Sequence, residues 1–362
     1  MLYCTIITKS HMARARVLHR SLLRHNPDAE LLVFMADHLP KVVDPKSSEE
    51  FTIVTLPEYA DDPVVQDMSF YYEVYELCGA LRPFIHEYLL TRTQADRWIY
   101  LDSDVYVNDS LAVLDRSFVK GSILLTPHSL APLAPAYGQK EIWFLRWGVF
   151  NSGFIGIKRS QTCQDFIRWW KDRLTWYCFA EERGQFVDQM WLNFVPFYYP
   201  DHVVCWHRGA NFGLWRIFSH RLRQVADGRY LVDEDPLLFC HLSGFRRERE
   251  NCFCWHRPDT DADTREACLT LERAYRAELE LVNGISDANS SYSFSTFASG
   301  QPITRAMRML YYNRLRNGLR FDSSPFDMAD YFYSELDASL YSRLKRRVRK
   351  NLFGLHGPFE RA

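Results

Sequence analysis

Short apolar runs, each about one strand long, recur through the first half of this 362-residue chain, and stretches with helical spacing separate them. That alternation restricts the fold more than any other feature. Strands joined through helices build an open, mostly parallel α/β sheet, and ligands of such sheets sit beyond the carboxyl ends of the strands. The runs fall at 2–8, 30–37, 51–57, 98–107, 122–128 and 150–158. Between the first two, Met12, Ala15, Val17, Leu18 and Leu22 recur at helical spacing. A second helical pattern covers 70–90 and is expected to break or bend near Pro83. Residues 160–179 read as a long amphipathic helix, and 186–196 as a short one ended by Pro196.

Two further runs, 203–207 and 237–245, close the α/β part, and from residue 258 the pattern turns helical. The expected division is therefore an α/β domain over 1–257 and a helical region over 258–362. The last stretch, 339–355, sets six basic residues among Leu340, Leu344, Val348, Leu352 and Phe353. Such a helix suits an anionic membrane surface, with docking on the rest of the chain as the alternative. A net charge of -1 excludes a global attraction to nucleic acid, so no nucleic-acid partner is expected. The first residues lack the form of a signal peptide, and no apolar run reaches the length of a membrane span. Nine cysteines without paired spacing point to reduced thiols in the cytoplasm, peripheral on the inner face of the plasma membrane if the basic helix binds lipid. Cys252, Cys254 and His256 have ligand chemistry, but no second pair completes a four-ligand site.

The run WIYLDSDVYV, 98–107, places Asp102 and Asp104 where a buried strand ends. Two carboxylates so spaced can hold a divalent cation, run acid and base chemistry, or cap a turn. Downstream, FNSGF puts Asn151, Ser152 and Gly153 behind a run of aromatic residues, with a glycine that permits close approach to a ligand. A plain strand-entry turn is the rival reading of this segment. HRGANFGLWR carries Asn211, Trp215 and Arg216; a tryptophan face can stack on a sugar ring or serve the core.

Seven segments in order resemble the nucleotide-diphospho-sugar glycosyltransferases of the GT-A fold, closest to the retaining family 8 type and its bacterial relatives. They are TIITKSHMARARVLHRSL, ELCGALRPF, YLDSDVYV, LLTPH, FNSGFIGI, DQMWLNFVP and HLSGF, and together they span about 1–250. The resemblance implies a mixed, mostly parallel GT-A sheet flanked by helices. It implies Mn²⁺ or Mg²⁺ on Asp102, Asp104 and His241, bridging the diphosphate of a nucleotide sugar, with a UDP-sugar expected. Asp188 would contact the donor sugar and Gln189 would lie beneath its anomeric carbon. Donor contacts would also come from Thr8, Lys9, Arg82, Ser103, Asn151, Ser152, Gly153 and Gly244. His128, Asn211 and Trp215 would serve the acceptor, a glycan or lipid-linked sugar of a surface polysaccharide. The family usually places a lysine after the metal histidine; here HLSGFRRER leaves that contact to Arg246 or Arg247. Two other classes stay in view: a phosphohydrolase of the haloacid dehalogenase type, which uses a strand-end aspartate as nucleophile, and a noncatalytic sugar-binding module.

Overall fold

The computed structural model describes residues 1–38, 49–180, 184–246, 253–254, 257, 259–282 and 291–338. β1 (Leu2–Ile7) is buried along its whole length, as a central strand of a parallel sheet should be. α1 (Met12–His25) follows and turns Ala15, Val17, Leu18 and Leu22 inward. Then come β2 (Glu30–Met35) and β3 (Thr52–Val54). β3 is shorter than the expected 51–57, because Thr55 and Glu58 form a capping box that starts α2 (Leu56–Tyr59), with proline in its first turn. The helical pattern over 70–90 is shared by two helices. α3 (Pro63–Tyr71) stops at Tyr72, whose backbone is extended, and α4 (Val74–Arg92) runs on past Pro83.

The run 98–107 also divides. β4 (Arg97–Leu101) lies in the main sheet, whereas β5 (Val105–Val107) belongs to a separate pair. Next are α5 (Ala112–Ser117), β6 (Ile123–Pro127), α6 (Gly138–Trp147), β7 (Phe150–Lys158) and α7 (Gln161–Trp176), the last capped by Ser160. Residues Gln189–Phe194 form a 3-10 turn that continues into α8 (Val195–Tyr198). Pro196 therefore sits in the first turn of a helix rather than ending one, since its missing N–H lies where no helical partner exists. β8 (His202–Val204), β9 (Leu222–Gln224), β10 (Tyr230–Val232), β11 (Asp235–Pro236) and β12 (Phe239–His241) precede α9 (Ala262–Val282). α10 (Arg305–Arg316) completes the set.

The central sheet has seven strands in the order β3-β2-β1-β4-β7-β6-β8. Only β7 runs against its neighbours β4 and β6, so the sheet is mixed and mostly parallel, the α/β architecture the alternation predicts. β12 pairs antiparallel with β5, setting His241 opposite Val105. One core of Leu18, Val33, Ile99, Val105, Phe154 and Phe239 joins that small pair to the main sheet.

Two compact units divide the chain elsewhere than at residue 257. The first comprises 1–61 and 74–292 and so includes α9; the second comprises 62–73 and 293–362. The physical reason is packing. α9 buries Ala267, Leu271, Tyr275 and Leu279, its Tyr275 ring meets Tyr106 edge-on at 5.7 Å, and its Glu278 pairs with Arg20 at 3.4 Å. In the second unit, Phe70 of α3 stacks on Phe332 at 5.0 Å, and buried Arg308 of α10 donates to the carbonyls of Phe70, Tyr72 and Phe294. The basic stretch 339–355, Arg247, Cys252 and His256 lie outside the described residues. No described helix is long and apolar enough to cross a membrane.

Candidate functional site

β4 ends at Leu101, and the next residues turn sharply. Asp102 N donates to Gly153 O at 2.9 Å, and Val105 N donates to Asp102 O at 3.0 Å. The turn holds both aspartates at the carboxyl end of the central strand. β12, paired to β5, brings His241 to the same place. His241 Nε2 lies 3.0 Å from Asp104 Oδ1 and 3.6 Å from Asp102 Oδ2, and ligand atoms of the three residues fall within 4.8 Å of one another. Gly153 makes the approach possible, since a Cβ there would lie 2.2 Å from His241 Cε1 and 2.8 Å from Asp102 Oδ2. Two carboxylates and one imidazole in so small a space are a donor set that fits a divalent cation such as Mn²⁺ or Mg²⁺.

The imidazole is oriented from behind. Its Nδ1 lies 3.2 Å from Asn211 Oδ1, while Asn211 Nδ2 donates to Thr126 Oγ1 at 2.7 Å and to Asn151 Oδ1 at 2.9 Å. With both amide hydrogens committed, Asn211 offers only its oxygen, so Nδ1 carries a proton and Nε2 faces the aspartates. Asn211 has a φ of 56°, a left-handed conformation that asparagine tolerates. Burial works against ionising Asp104, yet the charge and hydrogen bond of His241, with Arg14 at 3.6 Å, hold its carboxyl well below the usual range. Burial likewise opposes a charge on His241, and Asp104 first, then Asp102, outweigh it and raise the imidazole.

Arg82 knots the acids together. Nη2 donates to Asp102 Oδ1 at 2.6 Å, and Nη1 reaches Asp188 Oδ2 at 2.6 Å, Ser152 Oγ at 2.7 Å and Ser152 O at 2.8 Å. Tyr100 Oη donates to the same Asp102 oxygen at 2.7 Å, and its ring lies 4.7 Å from the guanidinium carbon. Burial alone would disfavour the guanidinium, and the two carboxylates keep it charged. For Asp188 burial wins, pushing the carboxyl up against the pull of Arg82. Glu87, further along α4, pairs with Lys171 at 2.8 Å and not with Arg82.

Gln189 is held on both ends of its amide. Oε1 accepts from Asn151 Nδ2 and Ser152 N, each at 3.2 Å, and Nε2 donates to Trp147 O at 2.9 Å. Val187, two positions earlier, has a φ of 41°, strained for a β-branched residue, and Val187 N is anchored to Phe179 O at 2.9 Å.

These groups meet at a cavity of about 410 Å³ lined by Arg82, Asp102, Asp104, Asn151, Ser152, Gln189, His128, Trp215 and His241. The remaining wall comes from Tyr75, Phe186, Leu214, Phe218, Ser243 and one face of α6: Lys140, Trp143, Phe144 and Trp147. A larger concavity of about 530 Å³ lies at the opposite, amino ends of β1, β2 and β4, away from the carboxylate and imidazole cluster.

Several expected contacts sit elsewhere. Thr8 is buried at the end of β1, within 3.1 Å of His11 Nδ1, and Lys9 pairs with Asp37 at 3.7 Å; neither lines the cavity. Asp188, Ser103, Gly153 and Gly244 are not in the lining either, and Gly244 is exposed at a φ of 79°. Asn211 stands behind His241. Trp215, only 6% exposed, meets His241 and His128 at nearly right angles, at 5.2 and 5.1 Å, so it forms a wall more than an open stacking face. Burial drives the His128 imidazole down to about 3, leaving it neutral. Arg246 is exposed. The residues not anticipated from sequence are Tyr100, Arg14 and the α6 face. The α6 residues had a signal: 140, 143, 144 and 147 follow helical spacing.

No family model matches the chain. Two uncharacterised proteins of Bacillus subtilis (strain 168) are similar in sequence. YfnD is 27% identical over 261 residues, covering 70% of this chain and 81% of its own length; YfnF is 25% identical over 255 residues, covering 67% and 81%. Among solved structures, the galactosyltransferase LgtC in complex with donor and acceptor sugar analogues is 13% identical at a TM-score of 0.47, covering 79% of this chain and 97% of that one. The glycosyltransferase GlyE of Streptococcus pneumoniae TIGR4 is 13% identical at 0.44, covering 82% and 66%. Similarity this remote decides neither fold nor activity, and the architecture of this chain rests on its own strand pairings.

Proposed function

We propose that the chain is a metal-dependent, retaining glycosyltransferase that moves a sugar from a nucleotide sugar, a UDP-sugar in the first instance, to a glycan or lipid-linked acceptor in surface polysaccharide synthesis. One observation carries this: Asp102, Asp104 and His241 converge at the carboxyl end of the central strand, inside a cavity large enough for a nucleotide sugar's reacting end. A divalent cation held there would act as a Lewis acid on the departing diphosphate. Solved structures of glycosyltransferases with remote similarity are compatible with this proposal.

The chain's own residues do the rest. Arg82 fixes Asp102 and Asp188 and adds positive charge beside the diphosphate. Asn151 orients the donor sugar's hydroxyls, and Asp188 holds Arg82 in place behind them. A carboxylate nucleophile for a covalent intermediate would need an open face, and Asp188 is buried and committed to Arg82. Gln189 presents an amide whose oxygen already accepts two hydrogen bonds, so it serves as a fixed dipole for positive charge on the sugar ring. The acceptor hydroxyl then attacks from the leaving-group side, losing its proton to the departing phosphate. His128 and Trp215 close the sugar pocket, and Thr8 and Lys9 lie at the β1 end where the nucleoside would rest. Free thiols at the described cysteines suit the cytoplasm, and stretch 339–355 would hold the enzyme to anionic lipid. The hydrolase alternative is disfavoured because that class carries its nucleophilic aspartate near the start of the fold, whereas Asp102 follows the fourth strand.

The test is a panel of nucleotide sugars with Mn²⁺, read as nucleoside diphosphate release. Release from one donor, abolished by chelation and by Asp104→Ala, is expected. Phosphate release from simple esters, whatever the donor, would favour the hydrolase, and donor binding without turnover would favour a sugar-binding module.

A further inference from the structure

α6 turns one face to the cavity, and that face is unlike the rest of the wall. Lys140, Trp143, Phe144 and Trp147 lie three, four and seven positions along the helix, hence on one side of it. No residue of α6 is fully buried: Phe144 packs on the core and stacks on His128 at 5.2 Å, while Trp143 and Trp147 are half-buried and line the cavity. Trp143 and Trp147 adjoin at 5.2 Å with planes 34° apart, and Trp147 stacks on Phe186 at 5.4 Å. Together they make an extended π surface.

Lys140 supplies the charge. Its ammonium lies 3.5 Å from the Trp143 centroid and 5.2 Å from that of Phe218. Among the described residues no carboxylate pairs with it, and burial against these rings lowers its pKa. The other charged groups of the cavity are paired: Arg82 with Asp102 and Asp188, His241 with Asp104. An ammonium held in place by aromatic faces and lacking an acid is ready to receive an anionic oxygen.

We infer that the α6 face is a subsite for a sugar ring bearing an anionic group, with the ring on Trp143 and Trp147 and the phosphate or carboxylate on Lys140. This rests on the glycosyltransferase function proposed above. The anionic group can belong to an acidic acceptor sugar or to the donor's diphosphate; the chemistry at Lys140 is the same, and the two sources separate by experiment.

The full chain, with Mn²⁺, is titrated by calorimetry with UDP, with methyl glucuronide and with its neutral counterpart methyl glucoside. Binding is compared for the wild type, Lys140→Met and Lys140→Arg, each checked for folding by circular dichroism. An acidic acceptor predicts that glucuronide outcompetes glucoside, that Lys140→Met weakens glucuronide about tenfold or more while UDP is unchanged, and that Lys140→Arg restores it. A tenfold loss confined to UDP supports the subsite and assigns the anion to the donor. Equal binding of both saccharides together with UDP indifferent to Lys140→Met overturns the inference. Failure of UDP to bind the wild type with Mn²⁺ counts instead against the proposed function, while the glucuronide comparison still reads Lys140 independently.

Discussion

The two walls of the cavity are built on opposite terms. On the acidic side every charged group is tied: Arg82 to Asp102, Asp188 and Ser152, His241 to Asp104 and Asn211. On the α6 side, aromatic rings and a lysine without an acid partner among the described residues stand open. The contrast teaches that one wall has paid for its order in the fold, whereas the other reserves its interactions for a ligand. Preorganised charge suits a group that must be met in one geometry, and flat rings suit a partner held by shape.

If the acidic wall is as interdependent as its hydrogen bonds imply, Arg82→Leu should be the most damaging change. It leaves Asp102 and Asp188 facing each other without their cation, and a loss of roughly 3–5 kcal/mol is expected in denaturant unfolding. A loss under about 1 kcal/mol would mean that solvent already screens these groups. Asn211→Leu removes the acceptor for His241 Nδ1 while keeping bulk. It should weaken Mn²⁺ binding by roughly 10–100-fold, and it should also lower the melting of the metal-free protein, because leucine fits a left-handed φ poorly and leaves Thr126 and Asn151 without the amide donor. Unchanged Mn²⁺ affinity would make Asn211 a packing residue only.

Protons sharpen the comparison further, because only the acidic wall titrates in this way. His241 has a raised folded pKa, so its stabilising charge is fully present below the ordinary histidine value and is lost as pH rises through the raised one. Asp104 has a depressed pKa; its contribution is present above the ordinary carboxylate value and is lost as pH falls through the depressed one. Metal-free stability should therefore peak in the mildly acidic range. A cation needs the unprotonated Nε2, so Mn²⁺ affinity should fall about tenfold per pH unit below the His241 pKa. The rise in melting temperature on adding Mn²⁺ should then grow from about pH 5 to about pH 8, and a flat dependence would separate His241 from the cation. The smallest effect belongs to the open wall. Trp143→Ala should raise the KM for a saccharide acceptor by about 3–10-fold, with kcat and Mn²⁺ affinity intact; a fall in kcat alone would place Trp143 in the chemistry instead.

Much of the acidic wall was legible in sequence because its pattern is local. Asp102 and Asp104 follow an apolar run, and the alternation of runs says on which end of the sheet they lie. His241 is not local: its distance from the aspartates is set by pairing of β12 with β5, and it was reached through ordered motifs rather than spacing. Roles depending on what a side chain faces were harder. Asn211 was expected on an acceptor, and its position behind His241 follows from a left-handed φ that a sequence does not display. Thr8 and Lys9 lie at the expected strand end, yet Lys9 faces Asp37, a pairing between residues 28 positions apart. The α6 face was missed because aromatic residues at helical spacing look like core, and only three dimensions distinguish a face on a cavity from a face on a sheet. α9 belongs with the first unit because its stripe meets α1 and β5, a fact its amphipathic pattern leaves open.

The central claim is that one cation is held by three named side chains. Electron paramagnetic resonance titration of Mn²⁺ in the presence of UDP tests it most directly, comparing the wild type with Asp104→Asn and His241→Ala. One bound Mn²⁺ per wild-type chain, with affinity lowered at least tenfold in each folded variant, is the predicted result. Mn²⁺ bound equally well by all three proteins, or by none of them, would contradict it.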